Sequence, residues 1–470
     1  MTQTPDLAVP EFAVLGHPNE GKSSVVSTLT EDDRIGISSV PGETKVSRAY
    51  TVNIDHREII RFVDTPGFQM PRQTLAWFKA HPGADLIDRF IAAHAQDPFF
   101  ADECELLTPL AKGVGIIYVV DGSRPVREDD LAEMEILRLT GRPRMAVINS
   151  KTAGRDYTDQ WKQEFRQHFN VIRIFNSNTA DFYERIRMLE SLKAIDQDWE
   201  NGLAHVVSAF KAEWEKRNRM ACAHITYGIE QALAFSVSGK LTSKTDPATL
   251  KEKLVIDYQS KIRKMETRMF ERIRSLYRHR HFDYKLPEYS ALHHDLFSER
   301  TWEILGLTRG QLATVGAVLG GTFGAVLDTA AAGLTFGVFT AIGSAIGAGS
   351  ALAGAKKLSQ SGAEAIGGDR IRVGPNENIQ FLYILLDRAV LYYTQMVRHP
   401  HGRRDLPVTP VAAAGPGGKD GKQGISATLT REQHKVCTRF FKNAQGKGMI
   451  PDKKIGPEFA LLVGHLLKNN

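Results

Sequence analysis

A chain of 470 residues is too long for one hydrophobic core, so two or three domains are expected. With 42% hydrophobic and 24% charged residues and a net charge of only +6, the composition excludes an intrinsically disordered chain. Three cysteines, Cys104, Cys222 and Cys437, far apart and odd in number, exclude a disulfide framework and a cysteine metal site; with a polar, proline-containing start that lacks a signal peptide, they predict a cytoplasmic protein.

Residues 11 to about 180 alternate apolar strand-like runs with helical stretches, which predicts an α/β fold: a mostly parallel sheet with helices on both faces. Strands are expected at 12–16, 49–55, 59–64, 114–120, 144–149 and 171–175. The first, Phe12-Ala13-Val14-Leu15, runs into Gly16-His17-Pro18-Asn19-Glu20-Gly21-Lys22-Ser23-Ser24 and then into the helical Val25-Val26-Ser27-Thr28-Leu29. This is a P-loop: Gly16 and Gly21 let successive N–H groups turn inward toward phosphate oxygens at the positive end of the following helix. Lys22 reaches the β/γ-phosphates, and the Ser23 hydroxyl is placed for Mg²⁺. The third strand, Ile59-Ile60-Arg61-Phe62-Val63, ends in Asp64-Thr65-Pro66-Gly67, where the acid suits the Mg²⁺ shell and the glycine N–H the γ-phosphate. Between the two motifs, Thr44 in Pro41-Gly42-Glu43-Thr44-Lys45 is the candidate switch threonine that completes the Mg²⁺ site.

Gly-x-Pro-Asn-x-Gly-Lys-Ser, the switch threonine and Asp-Thr-Pro-Gly resemble the Era/TrmE-type GTPases of the translation-factor class. The whole chain is similar to a bacterial group of predicted GTPases whose C-terminal half is a domain of unknown function. The resemblance implies binding of GTP and GDP by Asn19, Glu20, Gly21, Lys22, Ser23, Ser24, Asp64, Gly67 and Asn149, with Mg²⁺ held by Ser23, Thr44 and Asp64. It implies catalytic roles for Lys22, Thr44 and Gly67, and a K⁺ ion beside the phosphates at Asn19. Two positions depart from the pattern. Phe68 stands where Ras-like enzymes carry the water-orienting glutamine, with Gln69 one place later, so slow hydrolysis is expected unless a cation, a partner or homodimerisation through this domain supplies charge stabilisation. After the fifth strand, Asn149-Ser150-Lys151-Thr152 replaces Asn-Lys-x-Asp: Asn149 is in place, but the Thr152 hydroxyl cannot reproduce a bidentate contact with guanine. Asp156 is a substitute within reach along the chain, and Phe175-Asn176-Ser177-Asn178-Thr179 occupies the place of the family's short loop near the base.

Residues 70–112, with Trp77, Phe78, Phe90, Phe99 and Phe100, read as either a partner-docking element or extra core. From about 199 helical periodicity takes over, with Asp246-Pro247 as a helix start. The run 261–285 concentrates Lys261, Arg263, Lys264, Arg268, Arg272, Arg274, Arg278, Arg280 and Lys285, a pattern suited to lipid headgroups, to nucleic acid or simply to a solvated face. Between Gln311 and Ala355 the only charge is Asp328, and Gly316, Gly320, Gly324, Gly333, Gly337, Gly343 and Gly347 recur at helical spacing. This predicts a glycine-zipper hydrophobic hairpin at 311–355 in contact with a bilayer or an integral membrane partner, on the cytoplasmic face of the inner membrane, with a buried soluble hairpin or a segment that enters lipid only on demand as the alternatives. An amphipathic helix is expected from Asn378 to Val397, a flexible linker at 406–428, and a capping box of Thr430 and Gln433 that opens a short terminal helix. The predicted organisation is a G domain at 1–198, a mainly α-helical domain at 199–405 with the hairpin, the linker, and a helical tail at 429–470. The reading is a membrane-associated GTPase switch. A dynamin-like membrane remodeller, an Era-like RNA or ribosome-assembly GTPase and a nucleotide-binding scaffold are the alternatives, with nucleic acid the less favoured partner.

Overall fold

The structure, a computed structural model, describes residues 9–32, 45–150, 156–242, 246–277, 290–308, 311–312, 315, 363–366, 370–398, 424–446 and 453–468. The chain forms two compact units, the first built mainly from Met1–Lys216 and the second from residues after it.

In the first unit a six-stranded sheet has the order β2 (Arg48–Ile54), β3 (Arg57–Asp64), β1 (Glu11–Leu15), β4 (Gly115–Asp121), β5 (Arg144–Asn149), β6 (Val171–Phe175). All neighbours are parallel except β2, which returns antiparallel along β3. The apolar run of β1 follows from its central place: Phe12 and Val14 join the core on one face, Ala13 and Leu15 the core on the other. The first face is covered by α1 (Lys22–Thr30), α7 (Phe182–Leu192) and the start of α8 (Glu200–Ala234). The second is covered by α2 (Pro71–Ala80), α3 (Leu86–His94), α4 (Ala101–Ala111), α5 (Glu128–Leu139) and α6 (Thr158–His168).

The aromatic stretch at 70–112 is thereby largely core. Phe78 and Phe90 are buried and pack edge to face 5.5 Å apart, and Trp77 and Phe100 lean on the same cluster, whereas Phe99 is exposed. The α-helical half was expected to begin at 199, and α8 starts at Glu200. Its Leu203, Val206, Val207 and Phe210, spaced for one helical face, are nonetheless buried in the sheet's core, which carries the first unit on to Lys216.

The second unit holds the rest of α8 with α9 (Pro247–Leu276), α10 (Glu299–Ile304), α11 (Gln380–Arg398), α12 (Arg431–Ala444) and α13 (Ile455–Lys468). It also contains a small antiparallel sheet, β7 (Val237–Lys240), β9 (Arg370–Val373), β8 (Ala363–Ile366), which the sequence did not announce. Asp246 caps α9 and Thr430 with Gln433 forms the capping box of α12, as their residue types predict. Helix α11 is buried almost throughout. Its Arg388 forms a bidentate pair with Glu266 of α9 (2.6 and 2.9 Å), and Asp387 accepts from the N–H groups of Gly306 (2.6 Å) and Ser426 (2.8 Å). Much of the basic run on α9 is tied internally: Lys261 to Asp257, Arg263 to Asp295, and Arg272 over the ring of Tyr227.

Among the described residues no helix is long and apolar enough to cross a membrane. The expected hairpin at 311–355, apart from Gln311, Leu312 and Val315, and most of the linker at 406–428 lie outside the described residues, as do Thr44 and residues 151–155.

Candidate nucleotide site

The loop between β1 and α1 closes on its own lysine: Lys22 Nζ donates to the carbonyls of Gly16 and His17, each at 3.0 Å. Gly16 (φ +140°) and Gly21 (φ +92°) adopt backbone that L side chains rarely reach, and a Cβ at Gly16 would lie 2.2 Å from the carbonyl oxygen of Val119. Asn19 also has positive φ, at 68°. Residues 22–24 then open α1, whose first N–H groups have no partner within the helix and face the loop.

Asp64, at the end of β3, is brought beside Ser23 because β1 and β3 run parallel and in register (Val14 opposite Asp64). Ser23 Oγ donates to Asp64 Oδ2 at 2.8 Å. The other carboxylate oxygen, Oδ1, is buried and has no hydrogen-bond partner among the described residues. Burial lifts the Asp64 carboxyl above its usual range, opposed by the Ser23 hydrogen bond and the Lys22 charge. A hydroxyl and a carboxylate with one unsatisfied buried oxygen fit a hard divalent cation, which supplies the missing charge compensation. Gly67 lies against the P-loop, where an added Cβ would meet Pro18 Cδ at 2.5 Å and Pro18 N at 2.6 Å. Phe68 is fully buried in the core beneath it, so its place offers no side chain to orient water.

Asn149, at the end of β5, is buried and engages both ends of its amide: Nδ2 donates to the Glu20 carbonyl (3.2 Å), and Oδ1 accepts from the Ser177 N–H (3.1 Å) and hydroxyl (3.2 Å). The P-loop, β5 and the loop after β6 are thus fastened together. Ser177 is a site residue that the irregular sequence of its loop disguised. Asp156 is exposed and accepts from the Thr158 N–H at 2.9 Å, at the start of α6.

Two side chains of the P-loop face away from the phosphate side. The Glu20 carboxylate receives the N–H of Asp121 and pairs with Arg124 (2.7 Å), which also grips Asp130 and lies over the ring of Trp161. What remains of Glu20 for a phosphate is its backbone. His17 bonds to the buried Glu133 (3.1 Å), itself bonded to Tyr118 OH (2.8 Å), and that hydrogen bond raises the imidazole pKa against the opposing effect of burial. The sequence placed Lys22, Ser23, Asp64, Gly67 and Asn149 in one site, and the fold brings them together. The Glu20–Arg124 and His17–Glu133 links span over a hundred positions, and no local signal marks them.

Residues 11–150 match the family described as a 50S ribosome-binding GTPase, and residues 162–458 match a domain of unknown function (DUF3482). A probable GTP-binding protein EngB from Geobacillus sp. is 27% identical over 176 residues, covering 36% of this chain and 75% of that protein. GTPase Der from Bifidobacterium longum is 27% identical over 193 residues, 40% of this chain and 37% of that one. An EngB from Acidobacterium capsulatum is covered over 61% of its length, so the chain spans less than two thirds of several curated relatives. Among solved structures, Era in complex with MgGDPNP and nucleotides 1506–1542 of 16S ribosomal RNA is 15% identical with a TM-score of 0.29, covering 57% of this chain and 89% of that one.

Proposed function

The chain belongs to the DUF3482 family and carries a P-loop GTP hydrolase in residues 11–150, and from that premise we propose that it is a Mg²⁺-dependent, slowly turning-over GTP switch. The observation that carries this reading is the Ser23–Asp64 pair with the unsatisfied buried Asp64 Oδ1 beside a closed P-loop. Ser23 and Asp64 would hold the cation, joined by Thr44 as the sequence implies. When bound, Mg²⁺ would offset the charge that develops on the transferred phosphoryl group. Lys22 adds its positive charge at the β/γ-phosphates, and the Gly67 N–H offers a hydrogen bond at the γ-phosphate. The buried Phe68 leaves the attacking water without a side-chain guide, which favours slow turnover until a cation, a partner or a second copy assists. K⁺ at Asn19 is one such cation, and hydrolysis should then rise when sodium is replaced by potassium; an identical rate in both salts removes it.

The test of the main reading is direct. The full chain should bind GTP and GDP in preference to ATP, and Lys22→Ala should abolish binding. Retained affinity in that variant, or a clear preference for ATP, overturns the proposal.

A second reading concerns where the switch acts. Residues 311–355 hold a single charge, Asp328, and a run of glycines at helical spacing, which supports contact with the cytoplasmic face of a membrane. Several cations of α9 are already paired within the unit, which weakens the nucleic-acid reading.

A further inference from the structure

The helix α4 belongs to the stretch 70–112 that follows the Asp64-Thr65-Pro66-Gly67 motif, and two of its acids reach in different directions. Glu103 is fully buried, and its Oε1 accepts from the N–H groups of Gln69 (2.7 Å) and Met70 (2.6 Å). Those residues directly follow Gly67 and the buried Phe68. Glu105 accepts the Ser47 N–H at 2.8 Å, while its carbonyl accepts the Ser47 hydroxyl at 3.2 Å. Ser47 stands three residues after Thr44 and leads into β2.

We propose that α4 is an internal brace for the backbone that follows Gly67 and for Ser47 at the entry to β2, with Glu103 and Glu105 as positioning residues for GTP. The inference rests on the reading of this unit as a GTPase. A carboxylate buried at a cost is tolerated where it makes bonds nothing else can make, and Glu103 Oε2 finds no hydrogen-bond partner among the described residues. A simple core would place leucine there, as α4 does at Leu106, Leu107 and Leu110. With Oε1 holding two successive N–H groups, the protein itself keeps the backbone at Gly67 against Pro18, so GTP need not order this segment on binding. GDP has no γ-phosphate for Gly67 to meet and draws no benefit from the brace.

The experiment titrates the full-length protein, with Mg²⁺, against labelled GDP and a labelled non-hydrolysable GTP analogue. Glu103→Ala should weaken the GTP analogue by about tenfold or more while GDP affinity stays within about twofold, as expected for losing hydrogen bonds to a charged acceptor that only the GTP state uses. Glu103→Gln should restore most of the GTP affinity, because its amide oxygen accepts the same two N–H groups. Glu105→Ala reads the other end of the brace and should show a smaller loss with the same GTP selectivity, even if Glu103→Ala fails to fold. Equal losses for GDP and GTP, or none for either, overturn the brace. A wild-type protein that ignores both nucleotides overturns the GTPase reading instead.

Discussion

Gly67 has no room for a side chain, because Pro18 occupies the space where its Cβ would go. Gly67→Ala should therefore push the backbone N–H away from the γ-phosphate and cost about a hundredfold in single-turnover GTP hydrolysis, the usual loss for one oriented donor, with an unchanged circular dichroism spectrum. His434 supports a prediction in pH. Its Nδ1 lies 2.9 Å from Tyr383 OH, and burial lowers its pKa below 6.5. A depressed folded pKa gives stability that is present above the unfolded value and is lost as pH falls through the folded one, so the melting temperature should drop as pH falls below about 6.5. His434→Gln should flatten that drop relative to wild type. At this scale the sequence was informative where chemistry dictates residue type, as at Lys22, Ser23 and Asp64. Ser177, Glu20 and Glu103 were illegible as side chains with a task, because each acts on a backbone group or a partner set only by the fold.

The elements were read well where their ends carry capping chemistry and poorly where they are short. Helices α9 and α12 start at Asp246 and Thr430 because those side chains accept the first free N–H groups. The strand Val237-Ser238-Gly239-Lys240 has too little alternation to show itself, and it exists because β9, over a hundred residues later, supplies a partner. The link between α9 and α11 rests on Arg388 and Glu266, both nearly free of solvent. Arg388→Met strands a buried carboxylate and should destabilise the second unit by about 3–5 kcal/mol in urea unfolding, and adding Glu266→Leu should recover most of that loss.

For the whole molecule, alternating strands and helices announced the first unit, and fading strand signals announced the second. The boundary itself was hidden because α8 runs unbroken through it from Glu200 to Ala234, and only the burial of Phe210 and its neighbours tells which turns belong to the sheet. The membrane reading is tested by fractionating the intact protein beside a deletion. Gln311 donates to the Ala427 carbonyl (2.8 Å) and Val315 is buried, so the deletion should span 316–355 and spare both. The intact chain should resist salt and carbonate washes while the deletion stays soluble; two soluble proteins would remove the anchor. The fastening of Gly306, Leu307 and Ser426 by Asp387 and Gln380 has a consequence for descent as well as for stability. Residues 306, 307 and 426, far apart along the chain, thus depend on the same two side chains of α11. Lineages are thus expected to keep Asp387 and Gln380 together, because losing either leaves buried backbone N–H groups at these distant points without an acceptor.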